Sequence, residues 1–135
     1  MRPTLTPLAR EADCAIATLA TEIEDPLELL APQVVKIALA IHPGETIGRA
    51  LCFSRAAIPA GTGKHYHHVG MYTYRREALA RYVHLPRGIL EQRESLEQLR
   101  AIEAGMRIDA AVIQTEPLGV DTLADLDRAR TLLAR

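Results

Sequence analysis

Short apolar runs broken by proline and glycine constrain this chain more than any other feature. Residues 14–21 (CAIATLAT) end before Glu24-Asp25-Pro26, and residues 34–41 (VVKIALAI) end at His42-Pro43-Gly44. Runs this short read as buried strands, because helices need longer ones. Residues 50–55 resume an extended pattern and stop at Pro59, which suggests a hairpin with the preceding run across a loop holding Gly44 and Gly48. Residues 69–74 read as another strand and residues 77–83 as a short helix that ends before Pro86. The clearest helix covers residues 90–104, rich in Leu, Glu, Gln and Arg, with Gly105 at its C-terminal cap. A strand over 108–114 and a helix over 122–133 complete the pattern. Alternating strands and helices imply an α/β fold, and three early strands close together imply that part of the sheet is antiparallel.

The remaining bulk features mainly exclude. At 135 residues the chain has the length of one domain, and 48% apolar residues suffice for a core. A net charge of −1 gives no electrostatic case for nucleic acid or an anionic membrane. No run reaches the roughly 18 apolar residues of a membrane helix. The opening MRPTLTPLAR lacks the apolar run of a signal peptide, so a cytoplasmic location is expected. Cys14 and Cys52 lie too far apart for a CxxC motif and are expected to act as small buried hydrophobes.

Several residues could carry chemistry. Asp121 precedes a helix start, where a carboxylate can either ligate Mg²⁺ or cap the helix. His65, His67 and His68 invite a metal reading, but adjacent His67 and His68 point to opposite faces of an extended segment, and solvated loop histidines account for the group. His68, entering a strand beside Gly70, could still bind a polar ligand. In the 90–104 helix, Leu96, Leu99 and Ile102 form a narrow apolar stripe; Glu97 falls opposite it, toward solvent, and Gln98 on its flank. Arg55 ends a strand, where a basic side chain can hold a carboxylate or phosphate, or form an ordinary surface ion pair. Taken singly, each residue is accounted for by structure alone.

Taken together they are not. Four blocks occur in one order: CFSRAAIP (52–59), HHVGMYTYRREAL (67–79), LEQRESLEQLR (90–100) and GVDTLADL (119–126). From about Asp13 onward the chain resembles the C-terminal half of the CMP-Kdo synthetases, also called 3-deoxy-manno-octulosonate cytidylyltransferases. Cys52 replaces that family's tyrosine, Gln33 an asparagine, and Ile89 and Leu123 prolines. The resemblance implies an incomplete Rossmann-like nucleotide-diphospho-sugar transferase fold, with a mixed sheet and flanking helices. It implies transfer of CMP from CTP to Kdo, giving CMP-Kdo and pyrophosphate for lipopolysaccharide biosynthesis, with Mg²⁺ as cofactor and a homodimer as the assembly. By position, His68, Tyr72, Glu97 and Gln98 would hydrogen-bond the sugar acid, Arg55 would sit close to it, and Asp121 would ligate Mg²⁺.

The family's glycine-rich phosphate loop and its aspartate-bearing DEP motif are absent from this sequence. The whole of 1–135 is therefore expected to be the sugar-acid-binding and dimerisation half, inactive alone, with Met1 an open question as the true start. Without the missing strands the sheet is expected to expose apolar edges and faces. The alternatives are a non-enzymatic remnant serving as a sugar-binding or dimerisation module, and an unrelated α/β protein with a histidine metal site.

Overall fold

A computed structural model describes residues 7–8 and 13–114. In chain order the elements are β1 (Ile16–Glu22), α1 (Pro26–Leu30), β2 (Lys36–Ala40), β3 (Ile47–Ser54), β4 (Tyr66–Tyr74), α2 (Arg76–Tyr82), α3 (Ile89–Glu94), α4 (Gln98–Glu103) and β5 (Ile108–Ile113). The strands close on one another in the order β1-β4-β2-β3-β5. β1 runs parallel to β5 and antiparallel to β4, while β3 pairs antiparallel with both β2 and β5. The sheet is thus mixed and flanked by helices, as the sequence implies. Its closure differs from expectation: among the described residues each strand has a neighbour on either side, so the exposed edges do not occur. Closure satisfies backbone groups that an edge would leave open.

β1 is buried at every position but its last, which is why it reads as an uninterrupted apolar run. Bulges adjust the other faces. Between β2 and β3, Ala38 faces Cys52 and Leu39 faces Ala50, leaving Leu51 as the extra residue. That shift changes the parity, so Ala50 and Phe53 both turn inward while Leu51 is exposed. Phe53, the chain's only phenylalanine, is fully buried among Ile16, Ile37, Leu99 and Ile108.

The hairpin expected between the second and third strands is present, but Gly48 belongs to β3 rather than its turn. A Cβ at Gly48 would lie 2.7 Å from Cβ of Ile41 and 2.9 Å from the Ala40 carbonyl, so glycine permits close strand approach there. Asp25 caps α1, its carboxylate accepting from the Leu27 amide at 2.9 Å, with Pro26 opening the helix.

The single helix expected over 90–104 is two. Ser95 breaks it with φ 57° and ψ 46°. The break lets Glu91 in α3 and Leu96 in the seam both face inward, which one straight helix with the stripe Leu96, Leu99 and Ile102 does not allow. Glu91 is buried because it is fully paired: its carboxylate accepts from Arg100 Nε at 2.9 Å and Nη2 at 2.5 Å, and from the Gly88 amide at 2.7 Å. Gly105 follows α4 with φ 79°, as the cap reading requires. Cys14 is buried as expected, whereas Cys52 is only half-buried.

Candidate functional site

The end of β4, the start of α4 and the end of β3 bring the expected residues to one region. His68 is buried in β4, not in a solvated loop. Its Nε2 lies 2.9 Å from Thr18 Oγ1, and that hydroxyl is 2.8 Å from the Met71 carbonyl and 3.2 Å from that of Val69. Those carbonyls sit at the β1–β4 bulge, where Thr18 faces Tyr72 and Leu19 faces Val69. Thr18 has one hydroxyl proton, and the bulge carbonyls can only accept. Thr18 therefore donates to a carbonyl and accepts from His68 Nε2–H, which leaves Nδ1 as the acceptor. Nδ1 faces Gln98 Nε2, a donor, at 3.4 Å. One tautomer satisfies the whole chain of contacts. Burial, with His67 adding to it, pushes the His68 imidazolium down to about 3, so the ring is neutral at ordinary pH.

Phe53 packs edge-on against His68, with centroids 4.8 Å apart, and Tyr72 lies 5.5 Å from it on the other side. Tyr74 and Tyr82 extend the row at 5.9 and 6.1 Å. Burial raises the Tyr72 phenol, with Tyr74, Tyr82 and Glu97 adding to the shift, so it remains a hydroxyl donor. The Glu97 side chain is exposed, as the periodicity implies. Next to Glu97 opens a cleft of about 410 Å³ lined by Arg87, Glu91, Ser95, Leu96 and Arg100. Arg100 also lies 5.0 Å above the Tyr82 ring.

Arg55 reaches the same region with its donors directed to main chain. Nε donates to Glu94 O at 2.8 Å, Nη1 to Pro32 O at 3.1 Å and Nη2 to Ser95 O at 3.3 Å. His68, Tyr72 and Gln98 come together, Glu97 adjoins Gln98 in the chain, Arg55 bonds main chain at Pro32, Glu94 and Ser95, and Asp121 falls outside the described residues. His65 Nε2 is 2.8 Å from the Pro59 carbonyl, and among the described residues no group of three His, Cys, Asp or Glu side chains could hold a metal ion.

Two residues escaped the sequence reading. Lys36 is fully buried, its Nζ donating to Ala31 O at 2.8 Å and Val34 O at 2.6 Å. Burial and the nearby Arg55 lower its ammonium from the usual lysine range, with Glu94 opposing. Thr18, the anchor of His68, was the other. Their only sequence signal was a polar residue inside an apolar run.

A family model described as cytidylyltransferase matches residues 5–108. 3-Deoxy-manno-octulosonate cytidylyltransferase of Paramagnetospirillum magneticum is 57% identical over 98% of this chain. The chain belongs to the 3-deoxy-manno-octulosonate cytidylyltransferase family. The family member from Rhodospirillum rubrum is 56% identical over 91% of the chain. A solved structure of CMP:2-keto-3-deoxy-manno-octonic acid synthetase complexed with CTP superposes with a TM-score of 0.81 at 36% identity, covering 97% of this chain and 54% of that one. The chain spans about half the length of the curated family members it matches, 54% and 49% for the two named.

Proposed function

We propose that this chain supplies the sugar-acid side of a cytidylyltransferase active site, in an enzyme that transfers CMP from CTP to Kdo. In that reaction the anomeric oxygen of Kdo bonds to the α-phosphorus, the bond to the bridging oxygen of the β-phosphate breaks, and the hydroxyl proton is released with pyrophosphate. The product, CMP-Kdo, would serve lipopolysaccharide biosynthesis. The observation that carries the reading is the meeting of His68, Tyr72 and Gln98 around a neutral, tautomer-fixed histidine, with Glu97 next to Gln98 in the chain. The contact between Gln98 and His68 is the long one, so a sugar hydroxyl donating to Nδ1 would displace it and free the amide N–H for the sugar carboxylate. The un-ionised Tyr72 hydroxyl adds a second donor, and Glu97 accepts from a sugar hydroxyl.

By the family resemblance the chain's own share of Mg²⁺ would rest on Asp121, which lies outside the described residues. When bound, Mg²⁺ would neutralise the triphosphate and acidify the attacking hydroxyl. A homodimer in the cytoplasm belongs to the same proposal; no helix among the described residues is long and apolar enough to cross a membrane. Calorimetric titration of the purified chain tests the reading. Kdo is expected to bind without nucleotide, and no pyrophosphate is expected from the chain with CTP, Kdo and Mg²⁺. A folded chain that ignores Kdo would refute the site, and turnover by the chain alone would refute its being only part of one.

A further inference from the structure

Glu97 and Gln98 lie at the 95–97 seam between α3 and α4 and at the first residue after it. The last carbonyls of a helix, such as those ending α3, must find partners outside the helical ladder. Here they find side chains from distant elements. Arg55, just past β3, donates from Nε to Glu94 O and from Nη2 to Ser95 O. Glu94 returns the contact, Oε2 accepting from the Arg55 amide at 2.9 Å and Oε1 from the Ser54 hydroxyl at 3.1 Å. On the other side, at the start of α4, Glu97 O accepts the first helical bond, from the Arg100 amide at 3.1 Å, and also accepts from the Tyr82 hydroxyl of α2 at 3.0 Å. The Tyr82 ring lies under Arg100, which is anchored on buried Glu91. Both ends of the seam are thus gripped from outside it.

We propose that Arg55 and Tyr82 are positioning residues that clamp the 95–97 seam and so hold Gln98 against His68, with Glu97 beside it in the chain and Arg55 acting through carbonyl groups rather than by touching the sugar acid. The inference rests on the Kdo reading above and assigns Arg55 a role other than the one its place in the family blocks implies. Arginine suits this work because its planar fork reaches the carbonyls of Pro32, Glu94 and Ser95 at once. A lysine ammonium cannot reproduce that arrangement.

The experiment compares the full chain with Arg55→Lys and Tyr82→Phe. Three quantities are read: the nitrogen resonances of the Gln98 side-chain amide and the His68 ring without ligand, the Kd for Kdo by calorimetry, and the thermal midpoint. Both variants are expected to move the Gln98 and His68 signals in the ligand-free protein. Tyr82→Phe removes one hydrogen bond and is expected to weaken Kdo binding by up to about fivefold, and Arg55→Lys by about tenfold. Unmoved ligand-free signals in a folded Arg55→Lys chain, with weaker Kdo binding and an unchanged Kd for Tyr82→Phe, would make Arg55 a direct ligand and overturn the clamp. If Arg55→Lys does not fold, Tyr82→Phe decides. If the wild-type chain binds no Kdo, the functional reading fails while the ligand-free signals still judge the clamp.

Discussion

Acidification to pH 5 is expected to destabilise this protein through one residue, His68. The folded chain surrounds the ring with Phe53 from β3, Tyr72 from β4, Thr18 from β1 and Gln98 from α4, none of which carries a charge that could stabilise an imidazolium at this pH. Its neighbour His67 acts in the same direction as burial, and together they push His68 down from 6.5 to about 3. The unfolded chain takes up this proton near pH 6.5, whereas the folded chain refuses it until near pH 3. Unfolding therefore gains with each step of acidification between those limits, and the contribution is fully present above pH 6.5. With a limiting slope of about 1.36 kcal/mol per pH unit, the fall from pH 7.5 to 5.0 removes about 2 kcal/mol, most of it below 6.5, a large share of a small domain's stability. Glu91 works in a different window. Hydrogen bonds from Arg100, opposed by burial, hold its carboxyl down at about 2, so its contribution persists above pH 4.5 and fades below. Urea titrations of the wild type and His68→Gln at pH 7.5, 6.5, 5.75 and 5.0 measure the effect. The glutamine cannot titrate, and its amide N–H can keep the Thr18 contact. The variant starts less stable, but its stability is expected to fall about 2 kcal/mol less than the wild type's over this range. A difference that stays flat from pH 6.5 to 5.0 would refute the neutral-histidine argument.

Two further substitutions test packing. Leu99→Ala, at a site 1% exposed, is expected to cost about 2–5 kcal/mol, read as a lower urea midpoint with unchanged slope; a loss under about 1 kcal/mol would contradict its central place in the core. Gly48→Ala forces a methyl against the Ala40 carbonyl and Ile41 Cβ and is expected to cost about 1–3 kcal/mol, whereas Gly70→Ala, at a strand position with open space and no positive φ, is expected to be tolerated.

The elements were largely legible because their signals are local. β1 and β5 read as apolar runs, whereas Glu24-Asp25-Pro26 read only as a break and in the structure opens a short helix capped by Asp25. The 90–104 helix was misread in continuity, not in type. Ser95 is an ordinary residue for a helix interior, and only the inward pull of Glu91 and Leu96 makes a left-handed break there favourable. The site was legible through ordered blocks rather than through any single residue. Periodicity sent Glu97 to solvent, and its side chain is exposed, yet its charge still acts on Tyr72. Lys36 resembled a surface lysine interrupting a strand; two carbonyls from its own preceding loop allow it to be buried.

By itself, the order and spacing of the blocks determined the family, the α/β class and the residues to look for. Those properties are carried along the chain, in turn residues, apolar periods and motif spacing. Tertiary structure alone decided that the strands close into a barrel, that His68 is neutral and in one tautomer, and that the fork of Arg55 is spent on carbonyls from two other segments. Each of these depends on which partner, tens of residues away, reaches a given polar atom. A protonation state or a hydrogen bond belongs to the pair and its shared burial, and neither partner's local sequence records the other.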